Sequence, residues 1–228
     1  SVFMSMSIDQ FLSLSDAEQL QTIKDLNDIG QEEIIIDVLT GVGIDNLSIP
    51  LLGELGRAYN NNDKPEEAIK VFKAIDTAHR DAVWHYRCAY SHGSIASTNH
   101  EAYTSENMQQ MLALVDNGVQ LAIKEDRNDI KEYCFEVMDM CRLQMDFEKC
   151  EVDYPDLCLN YSKYIAEKKK KREGVPRQRT ITVEEILATD DMWTINEPAY
   201  WTINIYGSYD DYLESAKGFT VEQRYLNA

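Results

Sequence analysis

An all-α chain built from stacked helical hairpins is the fold this sequence predicts, on three observations. Gly and Pro number only 10 and 5 among 228 residues, and such scarcity of backbone breakers favours long helices over a strand-and-turn design. Apolar residues recur at spacings of three and four in several segments between residues 8 and 173, the period of one buried helix face. Residues 48–75 read as two short amphipathic helices joined by the polar Asn60-Asn61-Asn62-Asp63, an antiparallel helical hairpin. An apolar content of 44% supplies a core at this length.

Taken in order, Ile8–Leu14 predicts a short amphipathic helix. Ser15-Asp16-Ala17-Glu18 has the form of a capping box, in which Ser accepts from an N–H three residues on and Glu reaches back. Leu20, Ile23, Leu26 and Ile29 follow at spacing three, up to Gly30. Glu32–Leu39 is the next helix, with Ile34, Ile35, Ile36 and Val38 as a broad apolar face, and Gly41-Val42-Gly43 is a break. Ser48–Tyr59 predicts a helix with Pro50 in its first turn, where the missing N–H costs nothing. Asp63 is the expected N-cap of a helix opened by Pro65 and striped by Ala68, Val71, Phe72 and Ile75.

Leu52, Leu55-Gly56, Tyr59, Ala68 and Phe72 stand at the offsets of a tetratricopeptide repeat, which this hairpin resembles. Gly56 and Ala68 lack bulk, so the helices can approach, and Tyr59 and Phe72 fill the space beside them. Ile75 and Arg80 depart from the pattern, which has a small residue and a Pro there. Ala82–Tyr90 looks like the first helix of a second repeat, with Ala89 placed 33 residues after Gly56, close to the repeat length of about 34. Residues 93–106 are polar and predict an insertion before the second helix, Met108–Ile123. Asp129–Phe147 predicts a further long helix, with Tyr133, Val137, Met140 and Met145 among its apolar residues, and Leu157–Glu173 its partner. The resemblance implies a tetratricopeptide-like, solenoid-like domain over 1–173, in which hairpins stack to share a core and their first helices line a concave binding surface.

Gly174-Val175-Pro176-Arg177 opens a linker over 174–180, and 181–228 predicts a partial helical module with helices at 182–189, 210–216 and 220–228. Within it, Trp193, Ile195-Asn196-Glu197-Pro198 and Ile203-Asn204-Ile205-Tyr206 resemble the opening of a largely uncharacterised bacterial domain family that includes acidic DNA-mimic proteins. The family's later glycine-containing motif has no counterpart here, and the amphipathic pattern runs to Ala228 without a stop signal, so the natural protein is expected to be longer.

The formal charge is −18, which disfavours direct binding to nucleic acid or to an anionic membrane and would suit a basic partner. Acids dominate residues 1–40 and 125–156, whereas 161–180 reverses the sign. No segment approaches the roughly 18–20 apolar residues of a membrane span, and the start lacks the basic and apolar regions of a secretory signal. The five Cys show no metal-type close pair, and Cys134, Cys141, Cys150 and Cys158 read as reduced core thiols of a cytoplasmic protein. His85 and His92, two helical turns apart, read as partly buried groove residues rather than a metal site, whose ligands would stand three or four apart. Glu32-Glu33, Glu66-Glu67 and Glu184-Glu185 sit in first turns, where negative charge suits the helix dipole. Lys168–Arg172 ends a helix, where the dipole favours cations. No phosphate loop, nucleophile elbow or zinc-protease helix is present, so neither a cofactor nor catalysis is expected.

The sequence therefore predicts a non-catalytic bacterial interaction module that binds a partner protein or peptide in a concave helical groove, with Arg57, Tyr59, Trp84, His85, Tyr86 and Arg87 as candidate contacts. The alternative is an acidic, DNA-mimic type inhibitor of a basic nucleic-acid-binding protein.

Overall fold

The computed structural model describes residues 5–99 and 105–173, and every regular element among them is a helix. The chain divides into Ser1–Ile165 and Ala166–Ala228, and of the second unit only the end of one helix is described. The helices are α1 (Ile8–Leu12), α2 (Asp16–Asp28), α3 (Glu32–Val42), α4 (Ile49–Asn61), α5 (Pro65–Lys73), α6 (Ala82–Asn99), α7 (Glu106–Lys124), α8 (Asn128–Met140), α9 (Phe147–Asp153) and α10 (Pro155–Glu173). The expected linker at 174–180 and the module at 181–228, with its aromatic motifs, lie outside the described residues.

Three of the turns share one construction. Gly30, Asp63 and Asp126 take positive φ (75°, 55° and 55°). The N–H of the following residue then reaches back five positions, from Gln31 to Leu26 O, Lys64 to Tyr59 O and Arg127 to Ala122 O, at 2.9, 2.9 and 2.8 Å. This left-handed closure satisfies carbonyls that a helix end leaves open. It also corrects the expected role of Asp63. The turn needs a residue tolerant of left-handed backbone, which Asp is, so Asp63 turns the chain, while Lys64 precedes α5 without a side-chain cap. The reciprocal capping box is likewise elsewhere than expected. Ser7 and Gln10 exchange both bonds at the start of α1, whereas the Glu18 carboxylate accepts from the Ser15 hydroxyl rather than from its backbone N–H.

Helix packing follows the chain: α2 lies on α3 and α4, α4 on α5 and α6, and α6 on α7 and α8. Two hydrophobic clusters result. The first runs from Phe11 through Ile23, Ile35, Leu55 and Phe72 to Trp84 and Cys88. The second runs from Ala82, Ala89 and Ala96 through Met111, Val115 and Phe135 to Tyr161. Helix α6 contributes one flank to each. In the hairpin α4–α5, Ala68, Val71, Phe72 and Ile75 are all at most 3% exposed. A methyl group at Gly56 would lie 2.8 Å from Cδ1 of Phe72 and nearer still to Cε1 and Cζ, so the missing side chain is what lets the two helices meet. Arg80 closes the end of α5 by donating to Ile75 O at 2.9 Å and stacks on Trp84, its guanidinium carbon 4.3 Å from the ring centre. Trp84 Nε1 in turn donates to Phe72 O at 2.9 Å.

Four further sequence expectations are corrected. Helix α3 runs through Gly41, and the break comes at Gly43, with φ 97°. Ile29 is 60% exposed, because a run at spacing three drifts steadily off a face whose period is 3.6. Of the polar stretch 93–106 expected as an insertion, 93–99 is helical, since α6 continues to Asn99, and 100–104 lies outside the described residues. The small residues of 93–99 permit close packing, since Ala96 is fully buried and a methyl at Gly93 would lie 2.9 Å from Met140 Cε and 3.2 Å from Cys141 Sγ. The long helix expected over 129–147 ends at Met140, and Asp146 caps a new helix by accepting from Lys149 N–H at 3.1 Å.

Overpacking a tight crossing costs about 1–3 kcal/mol, so Gly56→Ala should lower the thermal midpoint of the chain by about 5 °C, read by circular dichroism, whereas a control Ala at the exposed Asn61 should leave it within a degree or so. His92, 7% exposed, bonds through Nδ1 to Asn107 Oδ1 at 3.0 Å across the α6–α7 contact. Burial, helped by Lys73 and opposed by the Asn107 bond and Glu106, holds its pKa below the usual value of 6.5. The neutral ring is thus the form that folds, and its contribution is complete above about pH 6.5 and is lost as pH falls toward the lowered folded pKa. In paired urea titrations, a His92→Gln chain should lose less stability than the parent between pH 7 and 5; parallel curves would rule this out.

Candidate binding groove

Two adjoining depressions, of about 450 and 400 Å³, open along the side formed by α2, α4, α6 and α8. Helical spacing places their lining. On α4, Arg57, Asn60 and Asn61 stand three and four apart; on α6, Val83, Tyr86, Arg87 and Tyr90 do the same; on α8, Ile130 and Tyr133 follow Arg127 and Asp129. Lys24 of α2, with Pro50 and Gly53 of α4, lines the second depression, and Val83, Arg87 and Arg127 border both. Each helix of this side therefore brings one cation to the lining: Lys24, Arg57, Arg87 and, at the start of α8, Arg127.

The floor is polar and tied down. Glu54, 4% exposed, accepts from Asn27 Nδ2 at 2.9 Å and from Arg57 Nη1 at 3.4 Å through Oε2, and pairs with Arg87 Nη2 at 3.5 Å through Oε1. Asn27 Nδ2 also donates to Glu54 O at 3.0 Å, and Arg57 reaches Asp28 at 2.9 Å. Arg87 Nη1 donates to Gly53 O at 3.2 Å, while the Arg87 carbonyl accepts from Asn60 Nδ2 at 3.0 Å. Ser91 Oγ closes the chain by donating to Asn60 Oδ1 at 2.7 Å. One carboxylate thus links α2, α4 and α6. Burial pulls the Arg87 guanidinium down from its usual pKa against the attraction of Glu54.

The wall is aromatic. The Tyr86 and Tyr133 rings lie 5.3 Å apart at 36°, and Tyr133 is 42% exposed. Burial, then the charge of Glu136, pushes the Tyr86 hydroxyl above its usual range, so it stays a neutral donor. Arg127 forms a two-pronged pair with Asp129, both contacts 3.0 Å. Both groups are exposed, and such a pair is weak and salt-screened, so Arg127 can exchange its partner readily.

Of the six residues expected to line a groove, Arg57, Tyr86 and Arg87 border the larger depression. Trp84 borders the smaller one, but it is only 7% exposed and belongs to the first core. Tyr59 borders neither depression; it is half-buried against the first core. His85 borders neither, since its Cβ backs onto Gly118 of α7 and its Nδ1 bonds Asp81 O at 2.8 Å. His92 faces α7 as well, so the expected groove histidines lie at a helix contact. Sequence reasoning missed Glu54, although a helical projection flags it: Leu51, Glu54, Leu55 and Ala58 share the buried stripe of α4. It also missed Asn60 and Asn61, which were assigned to the turn, and Tyr133, which was named only among the apolar residues of a helix.

No family model matches the chain, and neither a curated protein nor a solved structure was found to match it.

Removing the Glu54 side chain leaves Asn27 with only the backbone Glu54 O as acceptor and Arg57 with only Asp28 as counter-charge, and takes from Arg87 its carboxylate partner. Glu54→Ala should therefore destabilise by about 2–3 kcal/mol, with Glu54→Gln in between because its amide oxygen still accepts from Asn27. Urea denaturation measures both; equal costs would show that the charge itself contributes nothing.

Proposed function

We propose that this chain is a non-catalytic, tetratricopeptide-like interaction module that holds an extended peptide or partner-protein segment in the groove along α2, α4, α6 and α8. The observation that carries the reading is the open Tyr86–Tyr133 wall facing Arg57, Asn60 and Asn61 above a buried, bonded floor. Tyr and Arg are the side chains that dominate binding energy at protein interfaces, and amide side chains beside them suit the N–H and C=O groups of an extended backbone. The packing order of the helices, α2 on α4, α4 on α6 and α6 on α8, supports a stacked-hairpin array, in which first helices line one side. Among the described residues no helix is long and apolar enough to cross a membrane.

The alternative, an acidic DNA-mimic inhibitor, rests on the net charge of −18 and on a tail that lies outside the described residues. The two readings part on salt. Capture of a partner from a bacterial lysate by the immobilised chain should survive half-molar salt and weaken about tenfold in the Tyr86→Ala/Tyr133→Ala double variant. Capture that disappears with salt and ignores both tyrosines would instead support the mimic.

A further inference from the structure

Away from the groove, the junction of α9 and α10 holds two cysteines, Cys150 and Cys158. On an unbroken helix, residues eight apart stand about 12 Å apart along the axis, and their side chains cannot meet. Here the helix breaks at Tyr154, with φ −137° and ψ 66°. The break is held on both sides by the backbone: Tyr154 N–H donates to Cys150 O at 2.7 Å, and Cys158 N–H donates to Tyr154 O at 3.0 Å. The result turns the two thiols toward each other, sulfur to sulfur at 2.9 Å. Cys150 is fully buried and Cys158 is 6% exposed. Phe147 and Tyr161 stack nearby, with ring centres 6.1 Å apart.

Burial alone does not single this pair out, because all five cysteines are buried. The other three face other groups. Cys88 lies in the first core, Cys134 packs against Gly118, and Cys141 Sγ contacts Gly93 O at 3.3 Å. Mutual contact is the distinguishing feature of Cys150 and Cys158, and sequence spacing gives no sign of it.

We propose that Cys150 and Cys158 form a reversible dithiol–disulfide pair, oxidised by a peroxide and restored by small thiols, that locks the break between α9 and α10. Cys158, the more exposed, reacts first. It gives its proton to solvent, and the thiolate attacks one peroxide oxygen; an S–O bond forms, the O–O bond breaks, and the departing hydroxide takes up a proton to become water. The Cys150 sulfur then attacks the sulfenic sulfur of Cys158. An S–S bond forms, the S–O bond breaks, and the leaving hydroxide takes the Cys150 proton as a second water. Two thiols lose two electrons in all, and one hydrogen peroxide becomes two waters. Two equivalents of a small thiol reverse the change by exchange, leaving as their own disulfide. Burial raises both thiols above the usual cysteine range, so the pair is a slow responder at neutral pH.

The test uses the full chain, with hydrogen peroxide as oxidant and dithiothreitol as reductant. Free thiols are alkylated after denaturation, and the chain is then mapped by mass spectrometry. The expected product is a chain lighter by two hydrogens, with one internal cross-link between Cys150 and Cys158 that dithiothreitol removes. Its rate of formation should rise several-fold, up to about tenfold, per pH unit, following the thiolate fraction. Closing the nine-residue segment 150–158 should raise the melting temperature by about 5 °C. Cys150→Ser and Cys158→Ser should abolish both the cross-link and the rise. The peptide map of the parent chain reads the cross-link directly even if either variant fails to fold. Sulfinic or sulfonic acid on Cys158 without a cross-link, a cross-link between other cysteines, or five unreacted thiols would each overturn the pairing. A Cys150–Cys158 cross-link with an unchanged melting temperature would overturn the lock.

Discussion

Glu54 is the point on which the groove depends. A carboxylate 4% exposed cannot keep its charge out of water without donors around it, and the donors it gathers come from three helices: Asn27 of α2, Arg57 of its own α4 and Arg87 of α6. Exchanging such a cluster for apolar side chains is often neutral in stability, while removing one member strands the rest. What the cluster supplies is position. Arg87 cannot move without giving up Glu54 and Gly53 O, nor Asn60 without giving up the Arg87 carbonyl and Ser91.

The groove rim differs from its floor in this respect. Arg127 and Asp129 pair with each other at the surface, and Tyr133 stands well exposed beside Tyr86. Side chains already fixed in place lose little freedom when any ligand arrives, and that holds for the floor but not for the rim. The same division explains why an acidic molecule can present a cation on each of four helices of one side: the inner guanidinium groups of Arg57 and Arg87 are neutralised from beneath, and only the outer ones face solvent charge.

Helical periodicity made the hairpin at 48–75 readable, because Gly56, Ala68 and Phe72 obey a simple rule of size at a close crossing. The end of α6 was not readable. Gly93, Ser94, Ala96 and Ser97 have the composition of a loop, and only the neighbours they meet on α8 and in the turn after it reveal that their smallness serves packing. The groove was half readable for a related reason. Sequence spacing identifies which residues share a helix face, as Tyr86 and Arg87 show, but not which neighbour meets that face; hence Trp84, expected to line the groove, packs against α5, and His85, expected as a partly buried groove residue, backs onto α7. The meeting of Cys150 and Cys158 depends on the break at Tyr154; Pro155 signals a break there, but no spacing rule brings the two sulfurs together.

The position of α6 between the two hydrophobic clusters has a further meaning. Trp84 and Cys88 on one flank and Ala82, Ala89 and Ala96 on the other belong to a single rigid rod, so neither cluster can disperse without stripping half the cover from the helix that the other needs. Backbone amides in the middle of α6 should accordingly exchange with solvent only when the whole molecule opens, while those of α1 at the edge exchange through local fraying. Cooperativity in this chain is then carried by one helix, much as a keystone carries two half-arches.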